Sequence, residues 1–389
     1  MWPQAKIADG VSLLIPQVYC ITATKPWCCL KSPHVLTIGA LLDDPACRSR
    51  PVVDVRTPAE FAEDHLPGAV NYPVLSDEER VLVGTLARQA GAFDANVKGA
   101  ALVAANIAAL LAGPLSGMPR TWDPVLYCWR GGSRSWSLSV VLARIGWRTA
   151  LLDGGYRSYR RRIVADLDRL AQALSFTVLA GPTGSGKTRV LQLAAQRGAQ
   201  VLDLEALASH RGSVLGSVPG APQPSQKAFD AALWRQLQDF DPARPVLVES
   251  ESRKIGQLHL PASLMARMRA SPCVRLEVSV DVRVNLLRGQ YPHLEDEREQ
   301  IGQRLERLLP LYQDKRVEEW LALARAGCWE GLVARLLREH YDPAYQRSML
   351  RNYALVGQAP SIVIESADED CLADAADKLL LELALDRRA

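Results

Sequence analysis

The chain has 389 residues, 48% of them hydrophobic, so it is long enough for two or three domains with buried cores. A net charge of +3 is too small to indicate a nucleic-acid partner by itself, and eight cysteines without regular spacing argue against a disulfide framework. The sequence lacks a long apolar run and a signal-peptide pattern at its start, which predicts a cytoplasmic protein with no membrane partner.

The first 40 residues show no periodic pattern and are predicted only as an unassigned N-terminal extension (1–40). They contain Cys20, Cys28 and Cys29, thiols of the kind that bind zinc. Because no second cysteine pair or histidine pair nearby completes a ligand set, we expect no metal site in this segment.

A small α/β domain is predicted over residues 41–165, because short apolar runs alternate there with helical patterns. The predicted elements are a strand at 51–56, a helix start at 58–62, a turn at 65–71, a strand at 125–127, a helix at 135–145 and a strand that ends at Leu152. Strands that alternate with helices favour a parallel sheet.

Cys128 directly follows the strand at 125–127 and is a candidate catalytic residue. Gly131 and Gly132 allow the chain after it to curl, so that several N–H groups face one anion at the start of a helix. We expect the helix N-terminus together with Arg130 and Arg134 to favour the thiolate. The alternative, a buried structural cysteine, explains the neighbouring glycines and arginines less well.

Three further stretches accompany this loop: Asp54-Val-Arg56-Thr-Pro-Ala-Glu60-Phe61, His65-Leu-Pro-Gly-Ala-Val-Asn71 and Gly154-Gly155-Tyr156. Together they resemble the rhodanese family over residues 52–160, which implies a cysteine that carries sulfur or selenium. Five residues separate Cys128 from Arg134, a spacing that cysteine phosphatases share, so a phosphatase-like loop stays open. Neither flank of the loop supplies an obvious general acid for that reaction.

Four arginines crowd a short stretch at the end of this domain: Arg157, Arg160, Arg161 and Arg162. With Tyr159 among them, charge alternates with an aromatic ring, which suits phosphate contacts and base stacking in a nucleic acid. The alternative is the solvated start of an ordinary helix, because a charge count does not reveal base recognition.

A second domain is predicted over residues 171–389, and its first strand, at 176–180, leads into a complete Walker A pattern. Its phosphate-binding residues are Gly181, Gly184, Ser185, Gly186, Lys187 and Thr188. The glycines let N–H groups face phosphate oxygens, Lys187 adds a positive charge, and Thr188 can hold Mg²⁺. A chance glycine-rich turn would not explain the strand, the lysine and the threonine together.

Three more apolar runs predict strands in this domain, at 201–205, 245–249 and 274–280. We therefore expect a parallel sheet with helices on both faces. Glu249 and Glu251 follow the middle run, where this fold places an acid that orients a metal or a water. We assign no metal ligands beyond the option of Mg²⁺.

Two less specific features complete the second domain. Four polar residues are further candidates near the phosphate site, with buried ion pairs as the alternative: His210, Arg211, Arg253 and Lys254. Residues 295–345 have a helical pattern rich in Arg and Leu, which fits a lid or a solvated helical face, and we expect most of their charges to lie on a solvated face.

The order of these motifs along the chain is informative. The chain contains five further characteristic stretches besides the cysteine loop and the Walker loop. They are Ser76-Asp-Glu-Glu-Arg80, Val83-Gly-Thr85, the stretch from Asp203 to Ser213, Glu249-Ser-Glu-Ser-Arg253-Lys-Ile-Gly256 and Tyr341-Asp-Pro-Ala-Tyr345. In this order they resemble the tRNA 2-selenouridine synthase family over residues 52–345. The expected fold class is α/β, with a rhodanese-like parallel-sheet domain followed by a P-loop NTPase-like α/β domain with a helical C-terminal part.

The resemblance implies a selenotransferase that replaces the sulfur of wobble-position 2-thiouridine in tRNA by selenium from selenophosphate. In the family the sulfur is first geranylated with geranyl diphosphate, and the geranylthio group is then displaced. We therefore expect selenophosphate and geranyl diphosphate as co-substrates, no tightly bound cofactor, tRNA as a partner and a selenophosphate-producing enzyme as a second partner. The P-loop would bind the diphosphate, while Cys128 accepts selenium or assists its delivery and Arg130 and Arg134 hold selenophosphate oxygens.

Two other functions stay open. A P-loop ATPase or kinase with a regulatory rhodanese-like or cysteine-phosphatase-like domain would act on the terminal phosphate of ATP and would keep its activity without Cys128. A non-catalytic RNA-binding module would bind tRNA without changing it and would tolerate mutation of both loops.

Overall fold

The computed structural model describes residues 33–211, 220–290, 302, 305, 306, 312 and 315–386. The chain divides into two compact units, Met1–Arg162 and Ile163–Ala389. The thiols of Cys20, Cys28 and Cys29 lie outside the described residues, so the expectation that they bind no metal stays a prediction.

Five parallel strands form the sheet of the first unit, in the order β1-β5-β4-β2-β3 among its described residues. The strands are β1 (His34–Leu36), β2 (Val52–Asp54), β3 (Val70–Asn71), β4 (Val125–Tyr127) and β5 (Ala150–Leu152). The helices are α1 (Ile38–Asp43), α2 (Pro45–Arg48), α3 (Pro58–Glu63), α4 (Asp77–Gln89), α5 (Ala92–Ala112), α6 (Ser133–Ile145) and the first part of α7 (Tyr156–Ala173). The predicted parallel α/β architecture is confirmed.

The core of this unit lies between the central strands and α6. Val53 of β2 and Leu126 of β4 are buried together with Leu138 and Leu142, which are four residues apart on one face of α6. The helix ends where Gly146 adopts a left-handed conformation. This packing fixes the end of β4, the point from which the cysteine loop starts.

Two short strands of the first unit differ from the sequence prediction. β1 pairs with β5 and begins at His34, before the domain start that we expected at residue 41. Val70 and Asn71, predicted as part of a turn, form the edge strand β3 beside β2. Strands of two or three residues are too short to give a period-two pattern, so the sequence did not reveal them.

Helix α5 is the one described helix that is long and apolar enough to cross a membrane by length and composition. Twenty-two per cent of its most apolar window is buried, and it packs against α4 within the first unit. A single helix of this kind is weak evidence for a membrane span, because helices of soluble proteins pass the same criteria.

The second unit also contains a parallel sheet, in the order β12-β11-β6-β8-β7, and an antiparallel hairpin of β9 and β10. The strands are β6 (Phe176–Ala180), β7 (Gln200–Leu202), β8 (Val246–Glu249), β9 (Lys254–Ile255), β10 (Leu258–His259), β11 (Cys273–Val278) and β12 (Ser361–Ile364). The helices are α8 (Lys187–Gln196), α9 (Leu204–Ala208), α10 (Gln226–Asp239), α11 (Ala262–Arg269), α12 (Val280–Gln290), α13 (Arg316–Ala326), α14 (Trp329–Leu336), α15 (Asp342–Asn352) and α16 (Glu369–Asp386), with a π-helical turn at Leu337–Tyr341 and a 3₁₀ turn at Val356–Gln358.

The sheet order places the functional loops together. Strands β6, β8 and β7 are neighbours and run parallel, so their carboxyl ends meet at one edge of the sheet. The Walker loop leaves β6 at this edge, β8 ends there with Glu249, and β7 is followed there by Asp203. Helices α8 and α16 pack against each other beside the sheet and bury Val190 and Leu379.

Two predictions for the second unit are corrected. The strand predicted at 201–205 ends at Leu202, because the Asp203 side chain accepts a hydrogen bond from the N–H of Ala206 at 2.8 Å and caps α9. Glu205 therefore lies on a helix. The strand predicted at 274–280 runs over Cys273–Val278, and Val280 begins α12.

The predicted helical character of residues 295–345 holds where this segment is described. Its helices bury a core of their own, which includes the fully buried Val317 and Trp320. Charged side chains such as Glu319 and Arg335 pair on its exposed surface. The segment is therefore a small helical layer with its own apolar core.

Candidate functional site

The sulfur of Cys128 lies at the carboxyl end of β4, the central strand of its sheet, and the residue is 4% exposed. Gly131 has a φ of +69°, which glycine adopts without steric cost, and Gly132 precedes the first residue of α6. This turn brings the Cys128 sulfur within 3.2 Å of the Gly132 nitrogen and 3.3 Å of the Ser135 hydroxyl oxygen.

These donors determine the ionisation of the thiol. Burial raises the pKa of Cys128, but hydrogen bonds from the Ser135 hydroxyl and from the N–H groups of Ser135, Arg130 and Gly132 outweigh this effect. The pKa of Cys128 therefore lies below its ordinary value. The loop therefore stabilises the thiolate more than an ordinary cysteine environment does.

The two arginines beside the loop have positions that the sequence did not reveal. Arg134 donates from Nη1 to Oε2 of Glu60 at 2.7 Å, and Arg130 is exposed. Burial raises the pKa of Glu60, but its contacts with Arg134 lower it below the ordinary value. A hydroxyl group and backbone N–H groups, including that of Arg130, make the largest favourable contributions to the thiolate, and the expected contribution of the two guanidinium groups stays a prediction. Their role in anion binding stays a prediction.

A network of buried contacts packs against the Cys128 loop. The Tyr156 N–H donates to the Cys128 carbonyl at 2.8 Å, and a Cβ at Gly155 would lie only 2.3 Å from that oxygen. The guanidinium of Arg56 lies 4.0 Å from the centre of the Tyr156 ring and forms a fully buried ion pair with Asp54 at 2.7 Å. The residues that carried the rhodanese resemblance thus hold the cysteine loop in place.

The Walker loop leaves β6 and enters the ten-residue helix α8. Gly184 and Gly186 have φ values of +79° and +80°. The Lys187 ammonium group donates to the Gly181 carbonyl at 2.9 Å, and a Cβ at Gly181 would lie 2.5 Å from the hydroxyl oxygen of the fully buried Ser185. Strained turns and close approaches thus require glycine at these positions, and the loop precedes a helix N-terminus, which favours an anion.

Three carboxylates lie beside this loop. Glu205, Glu249 and Glu251 each place one oxygen so that all three lie within 4.8 Å of one another. Burial, followed by repulsion from Glu249, raises the pKa of Glu251 to about 7, and the same two causes raise the pKa of Glu205. Burial also raises the pKa of Glu249. A cation or protons would therefore stabilise this cluster.

The cluster has the chemistry of a site for a divalent cation. The Thr188 hydroxyl lies 3.4 Å from Oε2 of Glu205. Carboxylate and hydroxyl oxygens are the ligands that Mg²⁺ prefers, so these four side chains fit the ion. Glu249 and Glu251 were predicted from the sequence, but Glu205 was not, because it ends an apolar run that favours a strand.

One cavity of about 710 Å³ contains these groups, a volume typical of small-molecule sites. All six predicted phosphate-binding residues and all three carboxylates line it, as do His210 and Arg211. Of the described residues, Arg253 and Lys254 are not part of its lining. The rest of the lining mixes polar side chains, among them Thr183, Arg189, Gln192 and Ser348, with an apolar and aromatic part of the wall that includes Leu287, Tyr341, Ala344, Tyr345, Met349 and Tyr353. Sequence analysis did not predict this wall.

The four arginines near the end of the first unit lie on the first turns of α7. Arg157 and Arg161 are exposed. Arg160 pairs with Asp64 at 3.7 Å, and Arg162 pairs with Asp43 at 2.9 Å. Tyr159 is fully buried, so the idea that its ring stacks on a base is wrong. Its helical spacing from Tyr156 and Ile163, both buried, was the missed signal.

Known protein families match both units. The model of the rhodanese-like domain matches residues 37–162, and the model of the tRNA 2-selenouridine synthase AAA domain matches residues 174–307. These matches confirm the predicted fold class, a rhodanese-like domain followed by a P-loop domain.

Individual relatives agree with the family models. A tRNA 2-selenouridine synthase of Chromohalobacter salexigens is 33% identical over 372 residues, which cover 89% of this chain and 97% of the relative. One from Nitrosomonas europaea is 38% identical over 245 residues, 62% of this chain, and the match spans only 63% of that relative's length. Among solved structures, a rhodanese-related protein from Thermoplasma volcanium is 16% identical and covers 33% of this chain and 92% of its own, with a TM-score of 0.22, too low to support an argument.

Proposed function

The chain belongs to the tRNA 2-selenouridine synthase family, and from this premise we propose that it replaces the sulfur of wobble-position 2-thiouridine in tRNA by selenium. Selenophosphate is the selenium donor, and geranyl diphosphate is the first co-substrate. The observation that carries the proposal is the buried thiol of Cys128, whose pKa is lowered by hydroxyl and N–H donors. A thiolate in an anion-binding loop suits selenium transfer, whereas ATP hydrolysis does not require it.

The first step makes the sulfur a leaving group. The allylic C–O bond of geranyl diphosphate breaks, its electron pair leaves with the diphosphate, and the thiocarbonyl sulfur forms the new C–S bond. The N–H groups of the Walker loop and the Lys187 ammonium group stabilise the charge that develops on the diphosphate. The cavity supports this assignment, because its lining combines the Walker loop with the apolar side chains of Leu287 and Met349.

The second step introduces selenium. Selenium adds to the pyrimidine carbon that bears the geranylthio group, and the C–S bond breaks with its electron pair on the departing geranylthiolate. Water attacks the phosphorus of selenophosphate, and the P–Se bond breaks with its electron pair on selenium, so that phosphate and hydrogen selenide anion form without a change of oxidation state. The selenide is the nucleophile that attacks the pyrimidine carbon. Cys128 as a thiolate assists this delivery without a covalent bond to selenium, and Arg130 and Arg134 hold the selenophosphate anion. Arg134 can do so beside Glu60, since a guanidinium has five N–H donors.

A divalent cation is a third component of the proposal. Glu205, Glu249, Glu251 and Thr188 would hold Mg²⁺, and the ion would neutralise charge on the departing diphosphate. Independently of the ion, Glu251 holds a proton up to a pH of about 7 because it is buried beside Glu249. Protonation of the cluster and cation binding therefore compete.

Contact with tRNA is assigned to the exposed side of α7. Arg157 and Arg161 are exposed there and offer positive charge to phosphates, whereas Arg160 and Arg162 are engaged in ion pairs. A selenophosphate-producing enzyme is a second expected partner, because its product is the selenium donor. We place the enzyme in the cytoplasm, where tRNA is modified.

The division of labour between the two loops can be tested with single variants and mass spectrometry of tRNA nucleosides. Cys128→Ser should abolish selenation and leave geranylation measurable, with Cys47→Ser, a second free thiol of the same unit, as the control. Lys187→Ala should lower geranylation first. Loss of both reactions in Cys128→Ser, or unchanged geranylation in Lys187→Ala, would contradict the assignment. Continued ATP consumption without nucleoside modification would favour the P-loop ATPase or kinase.

A further inference from the structure

We propose that one face of α15 binds the apolar tail of the diphosphate substrate and sets the tail length that the enzyme accepts. The inference rests on the proposed function, because it concerns an allylic diphosphate in the cavity of the Walker loop. Tyr341, just before α15, and Tyr345 and Met349 within it line this cavity. They are spaced four residues apart, so they share one side of the helix, with Ala344 beside them.

The first turn of α15 is tied to the Walker loop through Arg283. This arginine is 3% exposed and donates from Nη1 and Nη2 to the two carboxylate oxygens of Asp342, at 2.7 Å each. Its Nη1 also donates to the Thr183 carbonyl at 3.2 Å. A bidentate, buried guanidinium fixes direction as well as distance. The start of α15 is therefore held at a set position relative to the phosphate cradle.

The other end of the helix is tied to the carboxylate cluster. Tyr353, the residue that follows α15, is 2% exposed, and its hydroxyl donates to the Glu251 carbonyl at 2.9 Å. From Asp342 to Tyr353 the helix rises about 16 Å. One end of α15 is linked through Arg283 to the loop after β6, and Tyr353 at the other end bonds to the loop after β8, so α15 extends along the cavity between these loops.

Apolar side chains line the cavity beside the phosphate cradle. A Cβ at Gly184 would lie 2.7 Å from Leu287 Cδ1, so this leucine packs directly on the Walker loop. From there the lining includes Ala344, Tyr345 and the 5% exposed Met349. A tail attached to a diphosphate in the Walker loop contacts these side chains. Burial of apolar tail area against them strengthens binding, and burial of a hydroxyl group without a hydrogen-bond partner weakens it. The distance from Lys187 to this wall thus selects tail length.

The test separates the head of the ligand from its tail. Calorimetry measures the affinities of the full-length protein for inorganic, dimethylallyl, geranyl and farnesyl diphosphate. Ala344→Leu adds bulk to the wall and should lower the affinity for geranyl diphosphate about tenfold relative to the affinity for dimethylallyl diphosphate. Met349→Ala removes bulk and should raise the affinity for farnesyl diphosphate relative to geranyl diphosphate by a similar factor. Affinity for inorganic diphosphate should stay unchanged. Leu350→Ala, at a 75% exposed position of the same helix, is the matched control and should change nothing.

Each outcome has a defined meaning. If Met349→Ala fails to fold, Ala344→Leu carries the test, because Ala344 is exposed at the surface of the cavity. Unchanged tail preference in Ala344→Leu, while the wild type binds geranyl diphosphate more tightly than inorganic diphosphate, overturns the role of α15 alone. If the wild type binds no allylic diphosphate more tightly than inorganic diphosphate, both this inference and the geranyl step of the proposed function fail.

Discussion

Replacing Glu251 by glutamine should stabilise the second unit, and the gain should depend on pH. Burial and repulsion from Glu249 raise the pKa of Glu251 to about 7, from an ordinary value of 4.5. The folded state therefore holds the proton up to a higher pH than the unfolded chain does. Between pH 4.5 and about pH 7 the folded state binds more protons than the unfolded chain does. The free energy of unfolding therefore falls as the pH rises through this range and levels off above it.

The magnitude follows from the same two values. The destabilisation of the wild type by this group is less than about 1 kcal/mol at pH 5 and reaches about 3 kcal/mol above pH 8. Glu251→Gln removes the ionisation and should recover most of this difference. For a unit of this size, 163–389, the thermal midpoint at pH 8.5 should rise by roughly 6–12 °C. At pH 5 it should rise by roughly 3 °C or less.

Thermal unfolding at pH 5 and pH 8.5 measures the effect, and Glu330→Gln, at a 70% exposed carboxylate, controls for the loss of a charge. Addition of Mg²⁺ at pH 8.5 should raise the midpoint of the wild type more than that of Glu251→Gln, because the ion replaces repulsion by coordination. A stability gain that is the same at both pH values would refute the reasoning, since it would not arise from ionisation of Glu251.

Three further variants test the first unit. Ser135→Ala should raise the pKa of the Cys128 thiol, because it removes a hydroxyl donor to the sulfur, and alkylation by iodoacetamide at pH 7 should become slower. Ser137→Ala is the control, since the Ser137 hydroxyl donates to the Ser133 carbonyl, and it should leave the rate unchanged. Equal rates for the two variants would exclude the Ser135 hydroxyl as a donor to the sulfur. Gly155→Ala should lower the thermal midpoint more than Gly68→Ala does. Both glycines have a positive φ, but only Gly155 lies against the Cys128 carbonyl. Equal losses in the two variants would assign the effect to backbone strain alone. Replacing Arg157 and Arg161 by alanine should weaken tRNA binding and reduce the salt dependence of log K by about 2, and an unchanged slope would remove α7 from the tRNA interface.

The parts of the site that the sequence predicted are local. The Walker loop and the Cys128 loop each follow a short buried strand, and their glycines stand where the chain turns sharply or approaches another backbone atom. Such requirements act over a few consecutive residues, so they are visible as a motif. The central parallel strands of both sheets were predictable for the same reason, since their apolar runs alternate with helical patterns, whereas the edge strands β1 and β3 were not.

The parts that the sequence did not predict depend on the folded chain. Glu205 was assigned to a strand because its neighbours are apolar, although the Asp203 side chain caps a helix there. The wall on α15 and the Walker loop line one cavity, although Met349 and Lys187 are more than 150 residues apart in the sequence. No local sequence pattern links the two. Ser135 was predicted only as the start of a helix at 135–145, and its role as a donor to sulfur depends on the first turn of α6.

The central claim is that the protein exchanges sulfur for selenium through a geranylated intermediate. The most direct test is mass spectrometry of nucleosides from 2-thiouridine tRNA incubated with the protein and with geranyl diphosphate and selenophosphate, singly and together. The account predicts a geranylated nucleoside with geranyl diphosphate alone and selenouridine when both co-substrates are present. Unchanged 2-thiouridine in every incubation, with ATP consumed when it is added, would contradict the account and favour a nucleotide-hydrolysing enzyme.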